Sequence, residues 1–259
     1  MDEARWNYEV ALKQLKVVDD HGNILGNKLA TVEPETGRVI GLVSPKYKLI
    51  QNKTLYDVMT NVGTDMGLKL NTIHVCRNRA LTSFEYGFIK EEVAVESSRK
   101  DDVVKLGISV INSFDGGLPS SSIRFTANAL VCLNGMVLPR TVGRISFRDL
   151  EIDERSVSRV LKDRTPPVLA QAKIWNQWAK FEPSRIKVGE FISKKLAPKV
   201  SEELLKRYDA GADKSLWTLY NIVTYYATHE LKTRNPENTR MSQLDFGTIE
   251  NAFYKADLK

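Results

Sequence analysis

The sequence predicts an α+β protein: an antiparallel sheet of hairpins with one helix in the first half, and a helical second half packed on it. Two observations carry this. The first is strand alternation around a turn-rich loop, Phe114 to Ser121. Before the loop, Val104, Leu106, Ile108 and Val110 share one strand face, and Lys105, Gly107 and Ser109 share the other. After it, Ile123, Phe125, Ala127, Ala129 and Val131 alternate with Arg124, Thr126 and Asn128. Each strand so has an apolar back and a polar front that can face water or a ligand. The second observation is the change to helical spacing after about Asp153, clearest where Leu216, Leu219, Tyr220, Val223 and Ala227 recur on one face.

The elements follow in order. Residues 9–33 read as a hairpin about the turn cluster Asp19-Asp20-His21-Gly22-Asn23, with a short second strand beginning at Ile24-Leu25. The turn signal Glu33 to Gly37 precedes a strand over Arg38–Val43; Ser44-Pro45 ends it, and Lys46 to Ile50 continues in extended form. A helix is predicted from Asn52, its N-cap, to Met66, with Leu55, Val58, Met59 and Val62 on one stripe. Strands over 68–76 and 80–89 meet at the tip Arg77-Asn78-Arg79, and Glu91 to Asp102 reads as an exposed loop. Helices are predicted over Ser156–Asp163, stopped by Pro166-Pro167, then Ala170–Lys180, and Arg185–Leu196, broken by Pro198. Three more open at Ser201, span Ser215–Leu231, and span Gln243–Tyr254. The chain divides best near residue 150, into a β-rich part (1–150) and a helical part (151–259) integrated as one domain.

No apolar run approaches the ~20 residues of a bilayer span, so no membrane association is expected. The N-terminus is acidic and lacks the basic-then-apolar pattern of a signal peptide, which places the chain in the cytoplasm. Cys76 and Cys132 sit in strand-like contexts and read as buried thiols rather than a disulfide. Net charge is +6, carried mostly by residues 141–259, with 21 basic and 16 acidic side chains there. A basic half points to an anionic partner, commonly nucleic acid.

Catalytic and metal signatures are sparse. His21, His74 and His229 fall in a turn, a strand and a helix, without zinc-site spacing. No Gly-x-Ser-x-Gly turn, phosphate-binding loop or dinucleotide fingerprint occurs. Asp115-Gly116-Gly117 reads as a tight turn, with metal coordination by Asp115 as its alternative. No cofactor is expected. The nucleic-acid features are more numerous: Lys46, Tyr47 and Lys48; the tip arginines Arg77 and Arg79; Lys105, Arg124, Thr126 and Asn128 on the polar strand face; and Arg140, Arg144 and Arg148 beyond it. Single-strand binders combine such a cationic track with aromatic platforms, for which Tyr47 is the candidate. Arg124 is the first choice among the cations.

Three segments carry a resemblance. Ser44 to Asn52 (SPKYKLIQN), Asn112 to Gly117 (NSFDGG) and Val131 to Gly135 (VCLNG) resemble the marker segments of phage- and plasmid-like proteins classed as a domain of unknown function. Thr224 and His229 on a late helix fit the same pattern, which covers about residues 40–230. This chain has Phe114 where a histidine is common before the Asp-Gly, which weakens a metal-binding His-Asp pair in the loop. The resemblance implies a mobile element of a prokaryotic host and DNA metabolism, without an activity.

The expectation is a non-enzymatic single-stranded DNA-binding protein, an annealing factor of recombination included, acting as a homo-oligomer. The alternatives are a metal-dependent nuclease using Asp115 with Glu85 or His229, and an interaction module that inhibits or recruits a host protein.

Overall fold

The computed structural model describes residues 2–97, 102–117, 121–129, 134–137, 144–147, 151–170, 172–231 and 252–254. They are α+β, with antiparallel sheets and one helix followed by a helical C-terminal half. The chain forms two compact units: Met1–Ile89, Ile108–Arg124 and Ile145–Leu161 make the first, and Lys90–Gly107, Phe125–Arg144 and Lys162–Lys259 the second.

The first unit opens with a three-stranded antiparallel sheet, β1 (Ala11–Val18), β2 (Ile24–Val32) and β3 (Val39–Val43), in that order. The β1–β2 turn forms because the Asp19 carboxylate accepts from the N–H groups of His21 and Asn23, at 2.9 and 2.8 Å, while Gly22 supplies the left-handed φ of 81°. β2 is longer than expected, running through Val32. Residues 44–51 are irregular rather than an extended strand. Helix α1 (Asn52–Met66) buries Leu55, Met59 and Val62, about 2 kcal/mol each of apolar burial, and ends on Gly67 in the left-handed conformation. Gln51, not Asn52, occupies its N-cap. Asn52 is the first helical residue, and its amide is used in the core instead.

A second sheet has six strands: β4 (Leu68–Cys76), β5 (Leu81–Ala94), β6 (Val103–Ser113), β7 (Ser122–Ala129) and β8 (Asn134–Val137) in sequence order, with β9 (Arg144–Ser146) also paired to β7. β4 and β5 meet antiparallel, Cys76 opposite Leu81, and the Cys76 thiol is buried and not part of a disulfide. β5 extends through Ala94, where an exposed loop was expected, because Val93 and Val95 bury their side chains. The alternation of β6 also hides a difference: Ser109 is as fully buried as Ile108 and Val110, so both faces are covered along this stretch.

Helices dominate the second unit. Helix α2 (Glu154–Ala170) starts in the first unit and runs through Pro166 and Pro167, which were expected to stop it. Each proline removes one backbone donor, but Val168 beyond them is 1% exposed, and its burial favours continuation. α3 (Ala172–Ala179), α4 (Arg185–Lys195), α5 (Pro198–Ala210) and α6 (Leu216–Tyr225) follow. Pro198 opens α5 rather than breaking α4, since the first turn of a helix needs no N–H there. Lys214 Nζ closes the other end of α5 on the carbonyls of Tyr208, Asp209 and Gly211. Helix α6 packs on β8 and passes into a wider π turn, Tyr226–Glu230, whose Glu230 forms a two-pronged pair with Arg207. The core is aromatic: Trp175 Nε1 donates to Tyr254 at 3.0 Å, and Trp217 Nε1 to the buried Asp102 at 2.7 Å. Of the expected last helix, residues 252–254 are helical and the rest lies outside the described residues.

Candidate functional site around Asp115

The first and second of the three marker segments converge in the first unit. Ile50, Asn52 and Asn112 begin the arrangement. Asn112 continues the even-numbered inward face of β6, so its amide is wholly buried and must find partners. Its Nδ2 donates to Ile50 O (2.9 Å) and Asn52 Oδ1 (2.8 Å), and its Oδ1 accepts from Ser121 Oγ. Asn52 Nδ2 in turn donates to Trp6 O (2.7 Å) and Thr82 Oγ1 (3.0 Å). Beside it the Gln51 side chain bonds both the N–H and the carbonyl of Val10, as a neighbouring strand would.

These bonds fix the loop after β6. Tyr47 donates its hydroxyl to Ser113 O at 2.7 Å, and Thr31 Oγ1 donates to Phe114 O at 2.6 Å. Phe114 is buried, edge-on to Tyr8 at 5.8 Å, so this position serves packing. Asp115 Oδ1 accepts from Ser113 Oγ (2.5 Å) and Gly117 N (2.8 Å), and Oδ2 from Arg77 (3.0 Å). Burial pushes the Asp115 carboxyl up, but the Ser113 hydroxyl, the Gly117 N–H and the Arg77 guanidinium outweigh it and hold the group below the ordinary aspartate range. Gly41 of β3 lies flat against the Asp115 backbone: a Cβ there would sit 2.3 Å from Asp115 Cα. Gly116, at φ 71°, supplies the left-handed bend.

The β4–β5 tip completes the arrangement. Arg77, Asn78 and Arg79 all take positive φ, at 51, 50 and 71°. Arg79 stacks on the Tyr8 ring (4.1 Å), pairs with Glu33 (3.1 Å) and donates to the carbonyls of Ala4 and Arg5. Tyr8 donates its hydroxyl back to Arg79 O, and Arg38 reaches Asn78 O at 2.9 Å.

Of the sequence-predicted cations and neighbours, Tyr47, Arg77 and Arg79 are drawn together around this loop, with Lys46 and Lys48 exposed on either side of Tyr47. Arg124 is half-buried on β7 in the same unit. In the second unit Lys105 and Arg144 are half-buried and Thr126 is buried; Asn128 pairs with Gly135 through its backbone position. Arg140 and Arg148, and Cys132 with the third marker segment up to Leu133, lie outside the described residues. Glu85 is held by the Ser83 and Ser109 hydroxyls at 2.5 and 2.9 Å. Among the described residues, no three His, Cys, Asp or Glu side chains gather where a metal ion could be held. Asn112, Asn52, Tyr8 and Glu33 were not among the site residues expected from the sequence, although Asn52 was read as an N-cap and Asn112 opens the second marker segment. The signal for Asn112 was there: a polar residue on the apolar face of a strand.

The tyrosines predict an alkaline transition. Burial pushes the Tyr8 phenol up to about 12, partly opposed by Arg79, and pushes Tyr47 up further, with Asp115 adding to it. Both bind their protons more tightly folded than unfolded, so their contribution is complete below the unfolded value of 10.0 and is lost as pH rises through the folded values. Urea midpoints are expected to fall between pH 10 and about 12, less steeply in Tyr8→Phe; an equal fall in both proteins contradicts the assignment.

No curated protein and no solved structure matches this chain. A family model described as Domain of unknown function (DUF932) matches residues 39–245. That span takes in Tyr47, Asn52, Arg77, Asn112 and Asp115, while Tyr8, Thr31 and Glu33 precede it. The chain belongs to this family, the Domain of unknown function (DUF932) family.

Proposed function

We propose that the protein binds single-stranded DNA without catalysing a covalent step, as a homo-oligomer, in phage or plasmid DNA metabolism inside a prokaryotic cell, with strand annealing as its activity. The observation that supports this best is the presentation of Lys46 and Lys48. Both are exposed, and the residue between them is pinned by the Tyr47–Ser113 bond. Two cations on an already ordered backbone meet phosphates with little further loss of conformational freedom. The net charge of +6 acts in the same direction. Self-association is supported by β3, an edge strand with Val39 and Leu42 exposed.

The test is binding of labelled single- and double-stranded oligonucleotides across a salt series, with light scattering for assembly. Lys46→Ala with Lys48→Ala is expected to weaken single-strand binding and to lower the salt slope by about 1.4, from two lost phosphate contacts. An unchanged slope removes these lysines from the interface. Absence of binding by the wild type to any strand overturns the function.

A further inference from the structure

We propose that Arg77 is the residue that grips a phosphodiester, and that Asp115 and Gly117 are the parts that aim it. The inference rests on the single-strand reading and names the group that takes the phosphate. Its starting point is Gly117. A Cβ at that position would lie 2.0 Å from Arg77 Nη1 and 3.1 Å from its Cζ. Gly117 is not among the residues with positive φ, so the turn does not require glycine for its backbone. What the missing side chain provides is room for the guanidinium, which lies against the Gly117 backbone.

Asp115 sets the direction. One carboxylate oxygen is held by Ser113 Oγ and Gly117 N, so the group cannot swing, and the other accepts from Arg77 Nη1 at 3.0 Å. Ser113 in turn is fixed through its carbonyl by Tyr47. The bond to Asp115 uses one of the five N–H groups of the guanidinium, leaving the rest of the planar fork for two phosphate oxygens. The side chain keeps 31% of its surface open to solvent, against 20% for Asp115, so the cation is the more accessible member of the pair.

Two effects of Asp115 oppose each other. As a bare charge it repels a phosphate, and its removal then tightens binding. As a positioning group it holds Arg77 in the geometry a phosphate meets, and its removal then weakens binding. The rigid anchoring of the carboxylate and the seat at Gly117 point to positioning. The sign of the Asp115→Asn effect therefore decides.

The experiment measures fluorescence anisotropy of labelled oligothymidylate with the full chain, after melting curves establish which variants fold. Arg77→Lys keeps the charge but not the fork, Gly117→Ala displaces the fork at unchanged charge, and Asp115→Asn keeps the Ser113 and Gly117 contacts while losing the ionic one. Each is expected to bind about tenfold more weakly, the scale of one charge-assisted contact. Glu35→Gln, at an exposed acid away from these contacts, is expected to bind as tightly as the wild type or more so. Arg77→Lys carries the test if Gly117→Ala does not fold. Tighter binding by Asp115→Asn, or wild-type affinity in Arg77→Lys, overturns the proposal while the single-strand reading stands. No binding by the wild type overturns that reading, and the phosphate seat with it.

Discussion

Asn112→Ala is expected to lower the unfolding free energy of the first unit by about 4 kcal/mol, through three stranded partners rather than lost volume. The Ile50 carbonyl and the Asn52 carboxamide oxygen lose their donor, and the Ser121 hydroxyl loses its acceptor. Asn52 and Asn112 are each 1% exposed or less. A buried polar group left unpaired costs about 1–3 kcal/mol, and a water entering the vacated space recovers part of that. The total is a large fraction of the ~5–15 kcal/mol that holds a typical domain together. Urea unfolding read by fluorescence gives the measurement, because Trp6 lies in this unit and its carbonyl is in the network. Asn52→Ala is expected to cost a similar amount, and the double variant less than the sum, since each single change already breaks the shared bond. A loss under about 1 kcal/mol in Asn112→Ala contradicts this account.

The second large effect is expected at Gly41. Replacing an ordinary glycine by alanine gains about 0.4–1 kcal/mol by restricting the unfolded chain. Here the new methyl would lie 2.3 Å from Asp115 Cα and 2.7 Å from its carbonyl carbon and oxygen, all backbone atoms with no rotamer to yield. Either β3 leaves β2 or the Asp115 loop moves and releases its bonds to Ser113 and Arg77. Overpacking against backbone is expected to cost about 3 kcal/mol, which exceeds the entropic gain. Gly22→Ala is the contrast: φ is 81° but nothing lies within 4 Å, so only the left-handed conformation is penalised, by about 1 kcal/mol. Equal stability of Gly41→Ala and wild type in urea argues against the close approach.

Periodicity made much of the local fold legible. Helix α1 was read at its observed bounds, as was β4, and the hairpin tip at Arg77 to Arg79 was placed correctly. Alternation and helical spacing depend on neighbours a few residues away, which is the range the sequence displays. What it did not display is what covers a face. Ser109 reads as an outward polar residue, but Ser83 and Glu85 on the adjacent strand take its hydroxyl and it is buried. Asn52 has the chemistry of an N-cap, yet its partners are Trp6, Thr82 and Asn112, 46, 30 and 60 residues away. The arginines of the tip read as solvent-facing cations. Their acidic partners, Asp115 and Glu33, come from a loop 38 residues later and a turn more than 40 residues earlier, and no local pattern couples them.

The tip itself has a consequence for what the chain has conserved in energy and what it has not. Left-handed backbone costs an ordinary L-residue about 1–2 kcal/mol, less for asparagine, and nothing comparable for glycine. A chain selected for stability alone would fill a run of three such residues with glycine and asparagine. This one has asparagine in the middle and arginine on both sides. Those arginines sit in a handedness their backbones disfavour, held there by Asp115, Glu33 and the Tyr8 ring. The tip is thus a small spring whose latch is made of side chains. Both guanidinium groups therefore owe their placement to groups distant in the chain, and not to the preference of their own backbone.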